Sequence, residues 1–465
     1  MRRIAVVGGG ITGLAASLAL QGGMAAGRAA SVTLIEAAPR LGGKILTERI
    51  GGFLIEGGPD SFLTVKPQAV QFARALGLTA RLVPTLHPRH IFILHRGRLH
   101  PMPDGLTSLV PQRLGPFLRS GLFSAWEKAR FGFDLIVPSN RNGADEAIGA
   151  FVRRRLGPAA VERLAGPLLA GVHAGDVETL SLRATFPTLA EAERRHGSLT
   201  RAILARRRSG PPANGEATMF MTLAGGLQEI VDRAAAALTS VAVRTGTRVL
   251  ALEPARGAYR LVLDRGQEVE ADGVILATPA HVTAALLRDL NRAASHAAEG
   301  IPYVSTAVVA LGFRRADVGH PLAGHGYLVA SGEGTQHTAC TWVSSKWPDR
   351  APADHVLLRC FVGRAGRQQA LDLADDALIR AVLAELSPLL VLRGEPVVAR
   401  VYRWPASMPQ YTVGHLDRLR TLRDALTGTP GLIAAGGGYE GVGLPDCIRQ
   451  GQEAAAAALD PAPRP

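Results

Sequence analysis

The chain has 465 residues, 47% of them hydrophobic and 20% charged, a globular composition too long for one ordinary core, so two or three domains are expected. A formal net charge of +13 is compatible with nucleic acid, an anionic lipid surface or an acidic small substrate, but no stacking-aromatic motif, zinc finger or basic helix argues for nucleic acid. Cys340, Cys360 and Cys447 are odd in number and lack metal-ligand spacing, which argues against a disulfide framework or a metal site and fits a reducing cytoplasm.

The chain opens with a strand, Ile4 to Val7, four apolar residues in a row as in a parallel strand covered on both faces. No secretory leader is expected, because Met1-Arg2-Arg3 leads straight into it. Gly8, Gly9, Gly10, Ile11, Thr12 and Gly13 follow, and each glycine of the G-x-G-x-x-G pattern has a task. Gly8 permits a tight turn, Gly10 lets backbone approach a pyrophosphate, and Gly13 lets helix and strand pack closely. The helix that begins here aims free N–H groups and a positive dipole end at the phosphates. A second apolar run, Val32 to Ile35, ends at Glu36, where a carboxylate can accept hydrogen bonds from a ribose. Strand, glycines, helix, strand and acid in that order predict a dinucleotide site.

The next segment selects the dinucleotide. Arg40 and Lys44 bracket Gly42-Gly43, and Gly58, Pro59, Asp60 and Ser61 follow shortly after. An extended FAD needs a second loop with charge for its diphosphate and no side chains in its path, and these residues supply both. The apolar stretch from Leu14 to Ala30 is broken by Gly22, Gly23, Gly27 and Arg28, so it is not expected to span a membrane.

Residues 1–85 are thus read as the first part of an FAD-binding domain. Residues 86–210 read as an Arg-rich helical excursion, with a helix from Asp145 to Arg155 and a break at Pro167–Gly171. The nucleotide domain returns over 211–299, with a helix near Ile230–Leu238, strands Val241–Val243, Arg248–Leu252 and Tyr259–Leu263, and a buried strand after Gly273. Residues 300–425 carry β-like segments, Ser305–Phe313, Leu357–Val362 and Val397–Tyr402, as in an open sheet covering a substrate pocket. Residues 426–465 contain a last buried strand, Leu432–Ala435, and a terminal helix. The fold class expected is α/β, a Rossmann-like FAD domain with an inserted mixed-sheet substrate domain and a helical lid.

Several segments are specific enough to point to a family. They are Gly-Gly-Gly-Ile-Thr-Gly-Leu-Ala-Ala (8–16), Arg-Leu-Gly-Gly-Lys-Ile (40–45), Gly-Pro-Asp-Ser-Phe-Leu (58–63) and Leu99-His100-Pro101-Met102-Pro103. Further ones run from Pro167 to Asp176, Leu180 to Pro187, Thr338 to Trp342, Lys346 to Pro348, Arg403 to Tyr411 and Gly441 to Ile448. With these the chain resembles the FAD-dependent protoporphyrinogen/coproporphyrinogen oxidases of the amine oxidase-like flavoproteins. It is most similar to the soluble bacterial type, whose members act on coproporphyrinogen III in haem synthesis. The plant and mitochondrial type has an arginine in the segment aligning with His90–Leu94; here that stretch has none.

The resemblance implies FAD contacts at Gly8 to Gly13, Glu36, Ala37, Lys44, Gly58 to Ser61, Val249, Trp404, Val442, Gly443 and Leu444. It implies hydride transfer from a porphyrinogen to the flavin, with return of the electrons to molecular oxygen as peroxide. Lys66 matches a lysine of the soluble subgroup and is expected to meet substrate carboxylates, with Arg89, Arg96, Arg98 and Arg183 bordering the cavity. No catalytic base is evident: His173, His325 and Asp446 are candidates by residue type only, and Cys447 reads as a packing cysteine. Protoporphyrinogen IX is the alternative substrate. An amine oxidase or desaturase, or a non-catalytic porphyrin-binding flavoprotein, are the readings of other classes. The lid segments Pro116–Ala129 and Val152–Leu169 are where peripheral membrane contact is expected if it occurs, and haem-pathway enzymes are the natural protein partners.

Overall fold

The computed structural model describes residues 1–103, 106, 114–140, 144–208 and 218–460. Its nucleotide half is a five-stranded, wholly parallel sheet in the order 241–244, 30–35, 2–7, 273–276, 432–434. Strands from three separated stretches of sequence meet in it, with Ile4 opposite Val32 on one side and Gly273 on the other. A run of apolar residues with no polar alternation requires cover on both faces, and both are covered. Ile4 and Val6 pack with the first helix, Ile11–Ala25, and the terminal helix, Leu444–Leu459. Ala5, Val7, Val274 and Leu276 pack against the antiparallel meander 249–271 and the helix Ala280–Leu287.

The second half is a seven-stranded mixed sheet, ordered 398–409, 303–314, 355–362, 337–342, 326–329, 91–95, 98–101. One face is closed by the helix Asp375–Leu390 through Leu378, Val382, Leu386 and Leu390. The opposite face, with Ala310 and Leu357, meets Phe53 and Ile55 from the nucleotide half, and Trp347, after strand 337–342, joins the same cluster.

Two sequence expectations are corrected here. Residues 91–101 do not belong to the helical excursion: Ile91–His95 pairs in parallel with Gly326–Val329, and Phe92 and Leu94 pack on the sheet's core. Four consecutive bulky apolar residues bounded by a Gly97 turn are strand material whatever the Arg content around them. Pro167 does not break its helix either. It lies in the first turn of Gly166–His173, where its missing N–H costs nothing, directly after a wide turn at Val161–Ala165. The helical unit has its own core around Phe117, Phe123, Phe131 and Phe151. Arg155 is fully buried within it, its guanidinium paired to Glu193 and Asp134. The expected boundary at 210 lies outside the described residues.

Candidate functional site

The glycine loop has the geometry that its spacing predicts. Gly8 has φ +105° at the strand exit, and a side chain there would meet the Ala277 carbonyl at 2.6 Å. At Gly13 a Cβ would lie 1.9 Å from the Gly8 carbonyl oxygen, so only glycine lets the helix pack onto the turn. Gly10 differs from both: it caps the helix in ordinary extended geometry (φ −69°, ψ 179°), and a Cβ would meet nothing within 4 Å. Open space therefore stands before the amides at the helix start, whose first turn carries no acidic side chain. That is the environment a phosphate requires.

The second glycine loop lies against the first. The Gly42 amide donates to the Gly9 carbonyl at 2.8 Å, and a Cβ on Gly43 would come 3.3 Å from the Gly10 Cα. Glu36 holds this junction, accepting from the amides of Gly9 at 2.6 Å and Ala38 at 2.7 Å. Each carboxylate oxygen retains capacity for a ribose hydroxyl. The backbone beyond Ala37 and Ala38 is tied to the segment leading to Val249 through Gly246 and Thr247, whose amides donate to Ala38 and Glu36 carbonyls.

Arg40 and Lys44, paired in the sequence reading, have separate tasks. The Arg40 guanidinium donates to the carbonyls of Leu41, Gly43 and Ile45, so it braces the loop itself. Lys44 reaches across the molecule to the Ser407 carbonyl. Its surface is exposed by area, yet burial depresses its ammonium pKa.

Gly58 to Ser61 come next, and a Cβ at Gly58 would strike the Lys44 carbonyl at 1.8 Å. The Gly58 carbonyl accepts from Arg359 at 2.6 Å, and the Gly57 carbonyl accepts the Trp404 indole N–H at 2.7 Å. Asp60 turns to protein partners, with Lys346 at 2.9 Å, Trp347 Nε1 at 3.3 Å and Ser61 Oγ at 2.7 Å. Although burial alone would push it up, Lys346 and Arg359 hold the Asp60 carboxyl far below the usual carboxylate range. Arg359, Lys346 and Ser407 were missed as site residues. Arg359 had a legible signal, a lone guanidinium in the otherwise apolar strand His355–Val362, which cannot be buried without partners.

At the far end, Val442, Gly443 and Leu444 lead into the terminal helix, with Gly443 as its N-cap. A Cβ on Gly451, in the middle of that helix, would touch the Thr12 carbonyl at 2.3 Å, so the start of the first helix packs closely against the terminal helix. Cys447 is buried, and burial pushes its thiol up to about 11, as suits a packing residue.

Three residues named separately from sequence come together at this end. Lys66 Nζ bonds both oxygens of Asp446, at 2.8 and 2.7 Å, on the first turn of the terminal helix. Burial, and then the charge of Lys66, push the His173 imidazole down to about 4, so it is neutral at physiological pH and a weak proton acceptor. His325 is not part of this group. Its Nε2 faces the Leu86 carbonyl at 2.9 Å, and Lys346, Arg89 and Asp60 act on it. Arg96 and Arg98 are also elsewhere, on the edge hairpin held by Glu333 at the opposite end of strand 91–95. Arg183 is exposed on the short helix Leu182–Thr185. Among the described residues no cluster of His, Cys, Asp or Glu could hold a metal ion, and no helix is long and apolar enough to cross a membrane.

Comparison with known proteins agrees with this geometry. The sequence profile described as "Flavin containing amine oxidoreductase" matches residues 11–459. The chain is 40% identical to coproporphyrinogen III oxidase of Bacillus subtilis, covering 98% of each chain. It is 36% identical to coproporphyrinogen III oxidase of Propionibacterium freudenreichii, covering 99% of this chain and 91% of that one. A solved structure from Exiguobacterium sp. 255-15, named for protoporphyrinogen oxidase, superposes with a TM-score of 0.87 at 35% identity over 98% of each chain.

Proposed function

The chain belongs to the flavin-containing amine oxidoreductases, and within them to the porphyrinogen oxidases, with FAD as cofactor; from that premise we propose that it oxidises coproporphyrinogen III to coproporphyrin III. The observation that carries the substrate assignment is the full-length likeness to two bacterial coproporphyrinogen III oxidases, supported by the Lys66 ammonium held on the first turn of the terminal helix. The residues on the nucleotide path fit FAD. The open approach at Gly10 would take the pyrophosphate, Glu36 the adenosine ribose, and Val249 the adenine. Ala37, Arg40, Lys44 and the Gly58–Ser61 loop would flank the chain between the rings. Trp404 and the Val442–Leu444 turn would face the flavin. The chemistry that FAD would supply here is acceptance of hydride from a methine-bridge carbon and return of the electrons to oxygen as peroxide.

The protein's own residues then position and desolvate. The N-terminal amides of the terminal helix would present a positive end to a bound flavin. Lys66 offers its ammonium to a substrate propionate, which must share it with or take it from Asp446. His173, kept neutral by burial and by the charge of Lys66, adds an uncharged imidazole to this end of the site. Coproporphyrinogen III carries four propionates against two in protoporphyrinogen IX, so a cationic site favours the former. Protoporphyrinogen IX is the second reading, favoured by the name of the Exiguobacterium structure.

The test is Lys66→Ala. With FAD content unchanged, kcat/KM for coproporphyrinogen III should fall about 10- to 100-fold, as expected for one charge-assisted hydrogen bond, and the preference over protoporphyrinogen IX should shrink. Unchanged kcat/KM for coproporphyrinogen III would remove Lys66 from the substrate site.

A further inference from the structure

Away from the nucleotide path, the strand His355–Val362 ends in a four-residue turn that brings two arginines together. The amide of Arg364 donates to the Arg367 carbonyl at 3.1 Å and the amide of Arg367 to the Arg364 carbonyl at 2.9 Å, with Gly366 at φ +74° closing the turn. Both residues line a pocket of about 360 Å³ with Gln336 and Gln369 and no acidic residue, although the adjoining cleft, which shares both arginines, is also lined by Glu333. The volume is within the range of small-molecule sites, about 300–1,000 Å³.

These two guanidiniums differ from the arginines that carboxylates hold elsewhere in the chain. Arg154, Arg155, Arg163, Arg260 and Arg403 are each held by a carboxylate. Among the described residues neither Arg364 nor Arg367 makes a side-chain hydrogen bond or salt bridge, and the nearest acid acting on Arg364 through space is Asp176. Burial and then the charge of Arg367 both disfavour the Arg364 cation, so the pocket gains by admitting negative charge. Planar guanidiniums offer paired N–H donors that match a carboxylate or phosphate.

We propose that this pocket is a second ligand site, which binds a small molecule carrying a phosphate or carboxylate group. It shares no residue with the nucleotide path, so it stands or falls independently of the porphyrinogen assignment. It is linked to the active end by one bond, the Ala365 amide to the carbonyl of Ala174, the residue after His173. An occupant is therefore placed to steady the helix that carries His173.

The experiment is calorimetric titration of the FAD-loaded protein in Tris buffer with moderate salt, using sodium phosphate and citrate as probes. Saturable binding is expected with at least one probe, weakened about tenfold or more in Arg364→Ala/Arg367→Ala. FAD content and melting temperature in the absence of probe should not change in that variant; if its FAD content falls, Arg367→Ala alone, at an exposed position, carries the same expectation. Competition with coproporphyrin III then separates the sources: displacement of the probe assigns the site to tetrapyrrole propionates, and no displacement assigns it to a free anion. Absence of saturable binding by both probes up to about 10 mM, or binding that survives both variants, would overturn the proposal.

Discussion

Gly10→Val separates cofactor binding from folding more cleanly than any other change at the site. The side chain would project into empty space, since no atom lies within 4 Å of a Cβ there, and φ −69°, ψ 179° is extended backbone that valine adopts without strain. The apoprotein should therefore lose no more than about 0.5–1 kcal/mol of stability. FAD binding should suffer twice. Forcing a methyl group against the pyrophosphate costs about 1–3 kcal/mol, as overpacking does. Losing close approach of a charge-assisted amide bond costs about 1.5–3 kcal/mol more. The sum, about 2.5–6 kcal/mol, corresponds to a dissociation constant weakened about 10²- to 10⁴-fold. Gly13→Ala is the contrasting change, because its Cβ would lie 1.9 Å from backbone and must disrupt the apo fold itself. The assay is FAD released by acid precipitation per mole of protein, alongside the circular dichroism and melting temperature of the apoprotein. Wild type should release its flavin non-covalently, and Gly10→Val should be folded but colourless. Full FAD occupancy in Gly10→Val would refute the assignment of this loop, and flavin retained on precipitated wild-type chain would refute non-covalent binding.

Acid should destabilise the protein partly through His415. Burial pushes this imidazole from an ordinary 6.5 to about 4, and its Nε2 faces the Tyr439 carbonyl at 2.9 Å. The folded state then binds fewer protons than the unfolded one between those values, so stability falls as pH drops from about 6.5 towards 4, by up to about 1.4 kcal/mol per pH unit for this group. In His415→Gln, which keeps an N–H donor, the melting temperature should fall less over that window; an equal fall would contradict the assignment. At the helical lid, Leu118, Trp126, Phe133 and Ile136 are exposed, with Lys128 beside them. Weak co-sedimentation with anionic vesicles at low salt is expected, lost in Trp126→Ser; no sedimentation of the wild type would refute membrane contact by this face.

The nucleotide half was legible because its signals are local. Apolar runs without alternation mark buried parallel strands, and Gly8 and Gly13 are fixed by contacts within the same turn. The strand at 91–95 carries a local signal, four apolar residues and a hairpin to 98–101, but its place in the sheet depends on Gly326–Val329, more than two hundred residues away, which local periodicity cannot report. For the same reason the Lys66–Asp446 pair was invisible, although both residues had been singled out by type. Charge was the least reliable guide. The +13 total includes Arg155 and Arg359, both fully buried and paired inside the molecule, and Arg96 and Arg98, which border a different end of the sheet. Arg40 illustrates the limit well, since a cation beside a phosphate loop and a cation bracing that loop have the same sequence signature.

The central claim is tested most directly by aerobic turnover of coproporphyrinogen III and protoporphyrinogen IX side by side, read by porphyrin fluorescence with peroxide measured in parallel. Conversion of a porphyrinogen to a porphyrin removes six hydrogens, so three peroxides should accompany each porphyrin. The account predicts FAD-dependent formation of coproporphyrin with that stoichiometry and a higher kcat/KM than for protoporphyrinogen IX. Faster turnover of protoporphyrinogen IX would contradict the substrate assignment, and no porphyrin from either would contradict the function.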